Sequence, residues 1–263
     1  MTFPDYCPQC GSDALSTSGV GTQKIEVLIK ELYPNARVER IDSDILTKKN
    51  AHIELLGKFQ KGEIDILVGT QMIAKGLDFE NVTLVGVLLI DRSLYAGDYL
   101  GYEKTFSLIT QVVGRCGRAD KPGRAYIQTY SPENRVIEFA EHQNYEAFFE
   151  YELTNRRIML YPPFCDICAV GFTGEREQEV VDCAKGFVSR LGGLAGGMER
   201  MPLRVIGPTP SAVVRVGNRF RYKVIIKCVN NSSFRSLMKS ALTGLETPRG
   251  VTVYADSSFS GMI

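Results

Sequence analysis

The sequence predicts an α/β chain with two domains of different kinds. The first is a parallel sheet with helices on both faces, and the second is an α+β domain of the ferredoxin-like split βαβ type. Strands alternate with helices through the first 143 residues, as in parallel sheets with crossover helices. Pro162-Pro163 then ends a helical segment. Beyond it the order changes to strand-helix-strand-strand-helix-strand, which is the split βαβ order.

The first domain is predicted from hydrophobic periodicity and from turn residues. Thr22 is placed to cap the first helix, and Pro34 ends it. The run at 82–90 is nearly all apolar, so we expect a strand buried on both faces. The predicted helices are 22–33, 51–60, 102–113 and 132–143, and the predicted strands are 37–41, 64–68, 82–90 and 124–130.

The second domain is predicted in the same way. A helix at 146–159 leads into it, and the glycine-rich stretch at 192–197 is predicted to be a loop. We place the boundary between the domains at 143/144, with the first domain at 16–143 and the second at 144–263. The predicted strands are 165–172, 205–216, 220–229 and 250–255, and the predicted helices are 176–191 and 233–245.

Composition excludes several classes of protein. No apolar run approaches the roughly 18 residues that a membrane span needs, and the start has no basic-then-apolar signal segment. Seven cysteines at irregular spacing argue against a secreted disulfide framework. We therefore expect a cytoplasmic protein without a membrane partner.

Charge is unevenly distributed along the chain. Residues 201–263 hold nine basic and two acidic residues, a net charge of +7. The first 200 residues hold 22 basic and 28 acidic residues, a net charge of −6. A basic C-terminal segment beside an acidic body indicates a polyanion site, although an ordinary solvated surface is the alternative.

The octet at 111–118 reads Gln-Val-Val-Gly-Arg-Cys-Gly-Arg. It has the Q-x-x-G-R-x-G-R form of the sixth motif of helicases with two RecA-like lobes. Arg115 and Arg118 are three apart, so on a helix they share one face. Two guanidinium forks could stabilise charge on a γ-phosphate, as an arginine finger does. The alternative is a basic helix end broken by glycines.

The segment at 70–78 reads Thr-Gln-Met-Ile-Ala-Lys-Gly-Leu-Asp and follows a predicted strand. Ligands bind at the carboxyl ends of strands in open α/β sheets. The segment is typical of the fifth helicase motif, in which Thr70 would meet the nucleic-acid backbone and Asp78 the ribose. A plain strand-turn-helix would also favour a glycine and an aspartate here.

Three basic residues alternate along one predicted strand. Arg219, Arg221 and Lys223 project from one face, and Phe220, Tyr222 and Val224 from the other, toward the helices. Basic side chains on an exposed sheet can follow a phosphate backbone without reading sequence. An edge strand protected by charge is the alternative.

The N-terminus contains half of a zinc site. Cys7 and Cys10 form a C-x-x-C pair with no second pair nearby. Cys165 and Cys168 have the same spacing but lie on a predicted strand, which would point them to opposite faces. We therefore predict that Cys165 and Cys168 belong to the core.

Taken together, these segments resemble the C-terminal part of the PriA family, the bacterial primosomal replication proteins N′. The resemblance covers essentially the whole chain. It implies a RecA-like second helicase lobe followed by a small C-terminal domain. The family is a superfamily-two 3′-to-5′ DNA helicase that restarts stalled replication forks. The segments that carry it are CPQCGS, GVGTQKIEVLIKELYP, DILVGTQMIAKGLDFENVTLVGV, TFSLITQVVGRCGRADKPGRAYIQTY, YPPF and GPTPSAVVRVGNRFRYKVIIK.

The resemblance also implies roles for individual residues and names partners. Gln111, Arg115 and Arg118 would contact the phosphates of ATP bound with Mg²⁺, and Gly76, Asp78 and Gly114 would belong to the nucleotide site. Gly21 and Thr22 open a helix whose N–H groups could hold a DNA phosphate. Residues 1–15, with Cys7 and Cys10, would be the remnant of a zinc-binding insertion. The implied partners are branched and single-stranded DNA, the single-stranded-DNA-binding protein and other primosome proteins.

Two parts of the family pattern are missing from these 263 residues. No G-x-x-x-x-G-K-[ST] phosphate loop and no acidic box for Mg²⁺ occur; both belong to the first lobe. We therefore expect a C-terminal piece of a larger enzyme that hydrolyses no ATP by itself. The alternative is a binding scaffold with a degenerate helicase lobe. Arg115, Arg118 and Asp78 favour the enzyme, because a scaffold has no need of them.

Overall fold

The computed structural model describes residue 6 and residues 21–42, 51–71, 81–114, 123–197 and 202–257. The chain forms two compact units. One comprises residues 1–85 and 111–126, and the other comprises residues 86–110 and 127–263. The domain boundary predicted at 143/144 falls inside the second of these units. Segments on both sides of that boundary pack together there, because the rings of Phe106 and Phe148 are stacked with their centroids 4.1 Å apart.

The first half of the chain contains four helices and four strands within its described residues. The helices are α1 (Thr22–Leu32), α2 (Ala51–Gln60), α3 (Asp91–Leu94) and α4 (Gly101–Val113). The strands are β1 (Val38–Ile41), β2 (Ile66–Gly69), β3 (Leu84–Val87) and β4 (Arg124–Ile127). β1 pairs with β2 in parallel, as predicted, and β3 pairs with β4.

The strand predicted at 82–90 is shorter and more exposed than expected. β3 covers only four residues, and burial on both faces is wrong because Leu84 and Leu88 are exposed. In the described part of the chain β3 pairs only with β4, so its apolar side chains are not all covered. Leu89 has a left-handed backbone, and α3 begins two residues later.

The second half follows the predicted order closely. After α5 (Arg135–Glu141) and α6 (Tyr145–Met159) come β5 (Asp166–Gly174), α7 (Glu177–Gly196), β6 (Arg204–Val216), β7 (Arg219–Cys228), α8 (Ser232–Thr243) and β8 (Thr252–Asp256). The sheet order is β6-β7-β5-β8, and the pairings of β5 with β7 and β8 and of β6 with β7 are antiparallel. This topology confirms the ferredoxin-like split βαβ domain.

The loop predicted at 192–197 is wrong for residues 192–196, where α7 continues. Leu191 is fully buried, and Ala195 packs against the same core. Burial of this apolar side offsets the low helix propensity of Gly192, Gly193 and Gly196.

One face of the four-stranded sheet packs on α7 and α8. Its core includes Phe172, Phe187, Val224 and Phe234. Cys168 lies in this core, whereas Cys165 packs against residues of the opposite face, so the predicted opposite placement is confirmed. Burial raises the pKa of the Cys168 thiol to about 11, which keeps it protonated at neutral pH.

Candidate nucleic-acid interface

The carboxyl ends of β1 and β2 lie side by side and carry polar residues. Ile41 is in register with Gly69, so the next residues, Asp42 and Thr70, lie at the same edge of the parallel pair. Thr70 is exposed, while Asp42 is buried. The predicted backbone contact, Thr70, is therefore at an edge where parallel sheets bind ligands.

The N-terminus of α1 reaches this same edge. Gly21 is the N-cap residue, with extended backbone geometry. The Thr22 hydroxyl donates to the Asp42 carboxylate at 2.9 Å, and Arg40 donates to the same carboxylate. Thr22 is thereby fixed over the end of β1. The first N–H groups of a helix have no partner within it, so this end of α1 can receive an anion.

The remaining predicted nucleotide residues are only partly described. Gln111 is exposed in the last turn of α4, and Gly114 is the exposed residue after that helix ends. Gly76, Asp78, Arg115 and Arg118 lie outside the described residues. Cys7 and Cys10 also lie outside them. Within the described residues there is no cluster of three or more His, Cys, Asp or Glu able to hold a metal ion.

The sheet face opposite α7 and α8 is divided into two halves. In the covered half, Tyr99 and Tyr161 pack on Ile167, Ala169 and Ile225. Lys227 belongs to this half: its ammonium donates to the Met159 carbonyl at 2.7 Å and lies 3.6 Å from the centre of the Tyr161 ring. Burial lowers the pKa of Lys227.

The open half of this face is defined by Thr173, Arg219, Arg221, Lys223, Thr252 and Tyr254. The strand registers set their positions, because Thr173 pairs with Arg221 and Thr252, and Gly171 pairs with Lys223 and Tyr254. The three basic residues predicted to share one face therefore do so. On the other face, the Tyr222 hydroxyl donates to Glu177 of α7 at 2.7 Å.

Arg219 is tied into the sheet. Its guanidinium donates to the Thr173 carbonyl at 3.0 Å, the Gly250 carbonyl at 3.2 Å and the Thr252 hydroxyl at 3.0 Å. Thr173 is on β5, the strand beside β7, and Thr252 is on β8, the next strand beyond it, so Arg219 reaches from β7 across β5 to β8. It therefore supports the fold in addition to carrying a charge.

Arg221 and Lys223 differ in exposure. Arg221 is half-buried and makes no hydrogen bond or ion pair within the described part of the chain. Lys223 is only 9% exposed, and burial lowers the pKa of its ammonium. Lys223 is therefore largely buried, unlike the exposed basic side chains expected on this strand. Arg221 is the more accessible cation.

Two residues of these sites were missed by the sequence reasoning. Asp42 follows a strand at the ligand-binding edge, and that position was a usable signal. Tyr254 lies on the last strand and shares one face with Thr252 and Asp256. Its position in line with Lys223, with Gly171 of β5 between them, depends on the strand order β7-β5-β8, which sequence periodicity does not reveal. No described helix is long and apolar enough to cross a membrane.

Each half of the chain matches the model of a known protein family. Residues 16–120 match the helicase conserved C-terminal domain, and residues 157–256 match the primosomal protein N C-terminal domain. The fold and these two family matches thus define the class: a helicase C-terminal lobe followed by a ferredoxin-like domain.

The relatives give the particular family. The chain is 40% identical to the replication restart protein PriA of Bacillus subtilis (strain 168), over 91% of this chain and 29% of that protein. It is 38% identical to PriA of Synechocystis (85% and 26%) and 36% identical to PriA of Chlamydia pneumoniae (92% and 32%). The chain belongs to the PriA family, as its C-terminal part, and spans about a third or less of the length of these relatives.

Proposed function

We propose that this chain is the C-terminal part of an ATP-dependent 3′-to-5′ DNA helicase that acts in replication-fork restart and primosome assembly. The observation that carries the proposal is the order of the two domain matches, 16–120 and 157–256, in a chain similar to replication restart proteins over most of its length. The first domain supplies the fifth and sixth helicase motifs, and the second contacts DNA or partner proteins.

The nucleotide chemistry is divided between residues of this chain and a first lobe. Arg115 and Arg118 stabilise the charge that develops on the γ-phosphate, and Gln111 orients the same phosphates. Gly76, Gly114 and Asp78 form the side of the nucleotide site that belongs to the second lobe. ATP with Mg²⁺ is the cofactor proposed for the whole enzyme.

The DNA backbone contacts the edge formed by α1 and β2. Two observations support this: Thr70 is exposed at the carboxyl end of β2, and the α1 N-terminus lies at the same edge through the Thr22–Asp42 bond. The buried Asp42 carboxylate engages the Thr22 hydroxyl, so the α1 contact to a phosphate is made through backbone N–H groups.

The other proposed contacts follow the family. Branched and single-stranded DNA, the single-stranded-DNA-binding protein and other primosome proteins are the partners. Cys7 and Cys10 are half of a Zn²⁺ site and need two further ligands from outside this chain. The basic C-terminal segment, with a net charge of +7 over 201–263, fits polyanionic partners.

A chimera tests the proposal. The preceding part of the Bacillus subtilis relative, joined ahead of residue 16, is expected to give DNA-stimulated ATP hydrolysis. Arg115→Ala in the chimera should lower turnover by about 10³-fold or more, as expected for loss of an arginine finger. Arg176→Ala is the matched control, because that arginine is exposed and its one ion pair among the described residues is with Glu179, three positions along α7. If the chimera binds DNA and ATP but hydrolyses no ATP, a scaffold is the correct function. If Arg115→Ala hydrolyses ATP normally, Arg115 is not an arginine finger.

A further inference from the structure

The ring of Tyr254 lies over the middle of the ferredoxin-like sheet. A Cβ built on Gly171 would lie 2.2 Å from Cζ and 2.5 Å from the hydroxyl oxygen of Tyr254. Those atoms are the far end of the side chain, so the ring extends from β8 across β5 in the direction of β7. Glycine at position 171 provides the space for it. Tyr254 nevertheless remains 49% exposed.

Basic residues lie on the β7 side of this ring. Gly171 pairs with Tyr254 on one side and with Lys223 on the other. Arg221 projects from the same face two residues away, about 7 Å along the strand. The named residues of the open half include three cations and no carboxylate. The acidic residue of β8, Asp256, is exposed and lies on the same face two residues beyond Tyr254, in register with Ala169.

An exposed ring beside cations matches single-stranded nucleic acid in two respects. Every base has a π-face that can stack on an aromatic side chain, and the phosphates favour a positive surface. Four-stranded sheets of other proteins hold unpaired bases on aromatic residues of their open face in this way. A duplex would not fit, because its bases are already stacked on one another.

We infer that Tyr254 is a base-stacking residue for single-stranded DNA on the open half of the sheet, with Arg221 holding the adjoining phosphate. The inference rests on the proposed DNA-binding role of the C-terminal domain and adds the kind of ligand and the residue that contacts the base. Arg219 keeps Thr173 and Thr252 in place beneath the strand of DNA.

Fluorescence anisotropy with the whole 263-residue chain tests this. The probes are labelled oligothymidine and an abasic strand of the same length. Tyr254→Ala should weaken oligothymidine binding roughly 5- to 150-fold and leave abasic-strand binding unchanged. Tyr254→Phe keeps the ring and should bind as the unsubstituted chain does. Tyr33→Ala is the control, since Tyr33 is a comparably exposed tyrosine at the C-cap of α1.

A salt series separates stacking from charge. Arg221→Ala should reduce the slope of log affinity against log salt by about 0.7, the value for one phosphate of a single strand. Tyr254→Ala should lower the affinity at every salt concentration without changing the slope. A melting curve for each variant establishes that it is folded.

Three results would overturn the inference. If Arg221→Ala weakens binding and Tyr254→Ala does not, the domain binds DNA without stacking, and the proposed function stands. If the unsubstituted chain does not bind single strands at low salt, both stacking and the DNA-binding role of this domain fail. If an acidic decapeptide binds through Tyr254 and oligothymidine does not, the open half is a protein-docking surface.

Discussion

At the residue scale, Arg219 and Arg221 have the same charge and the same face but different surroundings. Arg219 donates to acceptors on β5, on β8 and in the turn before β8. Arg221 has no such bond within the described residues. The alternation Arg-x-Arg predicted their shared face. It could not predict which arginine is bonded, because that depends on which strand lies beside β7.

Arg219→Ala is expected to lower the free energy of unfolding by about 1–3 kcal/mol, since it removes charge-assisted hydrogen bonds and leaves two carbonyls and two hydroxyls without their donor. Arg221→Ala should change it by less than about 0.5 kcal/mol. Urea unfolding measures both. Equal losses would show that Arg219 is an ordinary surface charge.

The pH dependence of the first unit depends in part on Asp65. The Arg37 side chain and its backbone N–H donate to the Asp65 carboxylate at 2.7–2.9 Å. These hydrogen bonds hold the pKa of Asp65 well below its usual range. A carboxyl group with a lowered folded-state pKa contributes stability above its unfolded pKa of about 3.9, and this contribution is lost as the pH falls toward the folded value.

Asp65→Asn should therefore lower the melting temperature at pH 7, and the difference from the unsubstituted chain should shrink as the pH falls below about 4. Differential scanning calorimetry from pH 7 to pH 3 measures it. In an Arg37→Met background the substitution should have little effect at any pH. A difference that is constant with pH would contradict the assignment to this ion pair.

At the element scale, periodicity and turn residues predicted nearly every helix and strand. α2 covers the predicted residues 51–60 without change, because its start and its apolar spacing both lie in the local sequence. α7 was predicted too short, because three glycines between 192 and 196 are typical of a loop. The packing of Ala195 on the core decides that stretch, and such a tertiary contact overrides local propensity.

This extension of α7 predicts an unusual gain in stability. A Cβ at Gly192 or Gly193 would meet nothing within 4 Å. Replacing glycine with alanine in a helix at such positions reduces the entropy of the unfolded chain and should add about 0.5–1 kcal/mol per site. Thermal and urea unfolding of Gly192→Ala and Gly193→Ala test it.

Gly207→Ala is the matched contrast. Gly207 has φ of +105°, and a Cβ there would lie 2.8 Å from the Lys223 carbonyl oxygen. This substitution should destabilise by more than about 1 kcal/mol, because both the backbone and the neighbouring strand resist it. If Gly192→Ala and Gly193→Ala also destabilise, α7 does not continue through the glycines.

At the scale of the whole molecule, the candidate sites differ in how far the sequence could predict them. The proposed phosphate-binding motifs are linear, so Thr70, Gln111 and the arginines of 115–118 could be proposed from the local sequence alone. The open half of the sheet draws on three strands that are distant in the chain. Its charge was visible in the excess of +7, whereas the position of Tyr254 beside Gly171 required the sheet order.

The proposed division of the nucleotide site between two lobes predicts that this chain binds DNA without responding to ATP. The 263 residues contain no phosphate loop, so ATP has no cradle for its β- and γ-phosphates. One ligand, here ATP, can change the affinity for a second ligand, here DNA, only if it binds one conformation of the protein more tightly than another. The affinity for single-stranded DNA should therefore be the same with and without ATP and Mg²⁺.

Anisotropy titrations at fixed ionic strength, with phosphate release followed in parallel, measure both quantities. The expected result is salt-sensitive DNA binding, no change on adding ATP with Mg²⁺, and no DNA-stimulated phosphate release. In the chimera with a first lobe, the same titration should become nucleotide-dependent if Arg115 and Arg118 contact a bound γ-phosphate as proposed. Turnover by the isolated chain would show that it forms a complete nucleotide site by itself, contrary to a motor divided between two lobes.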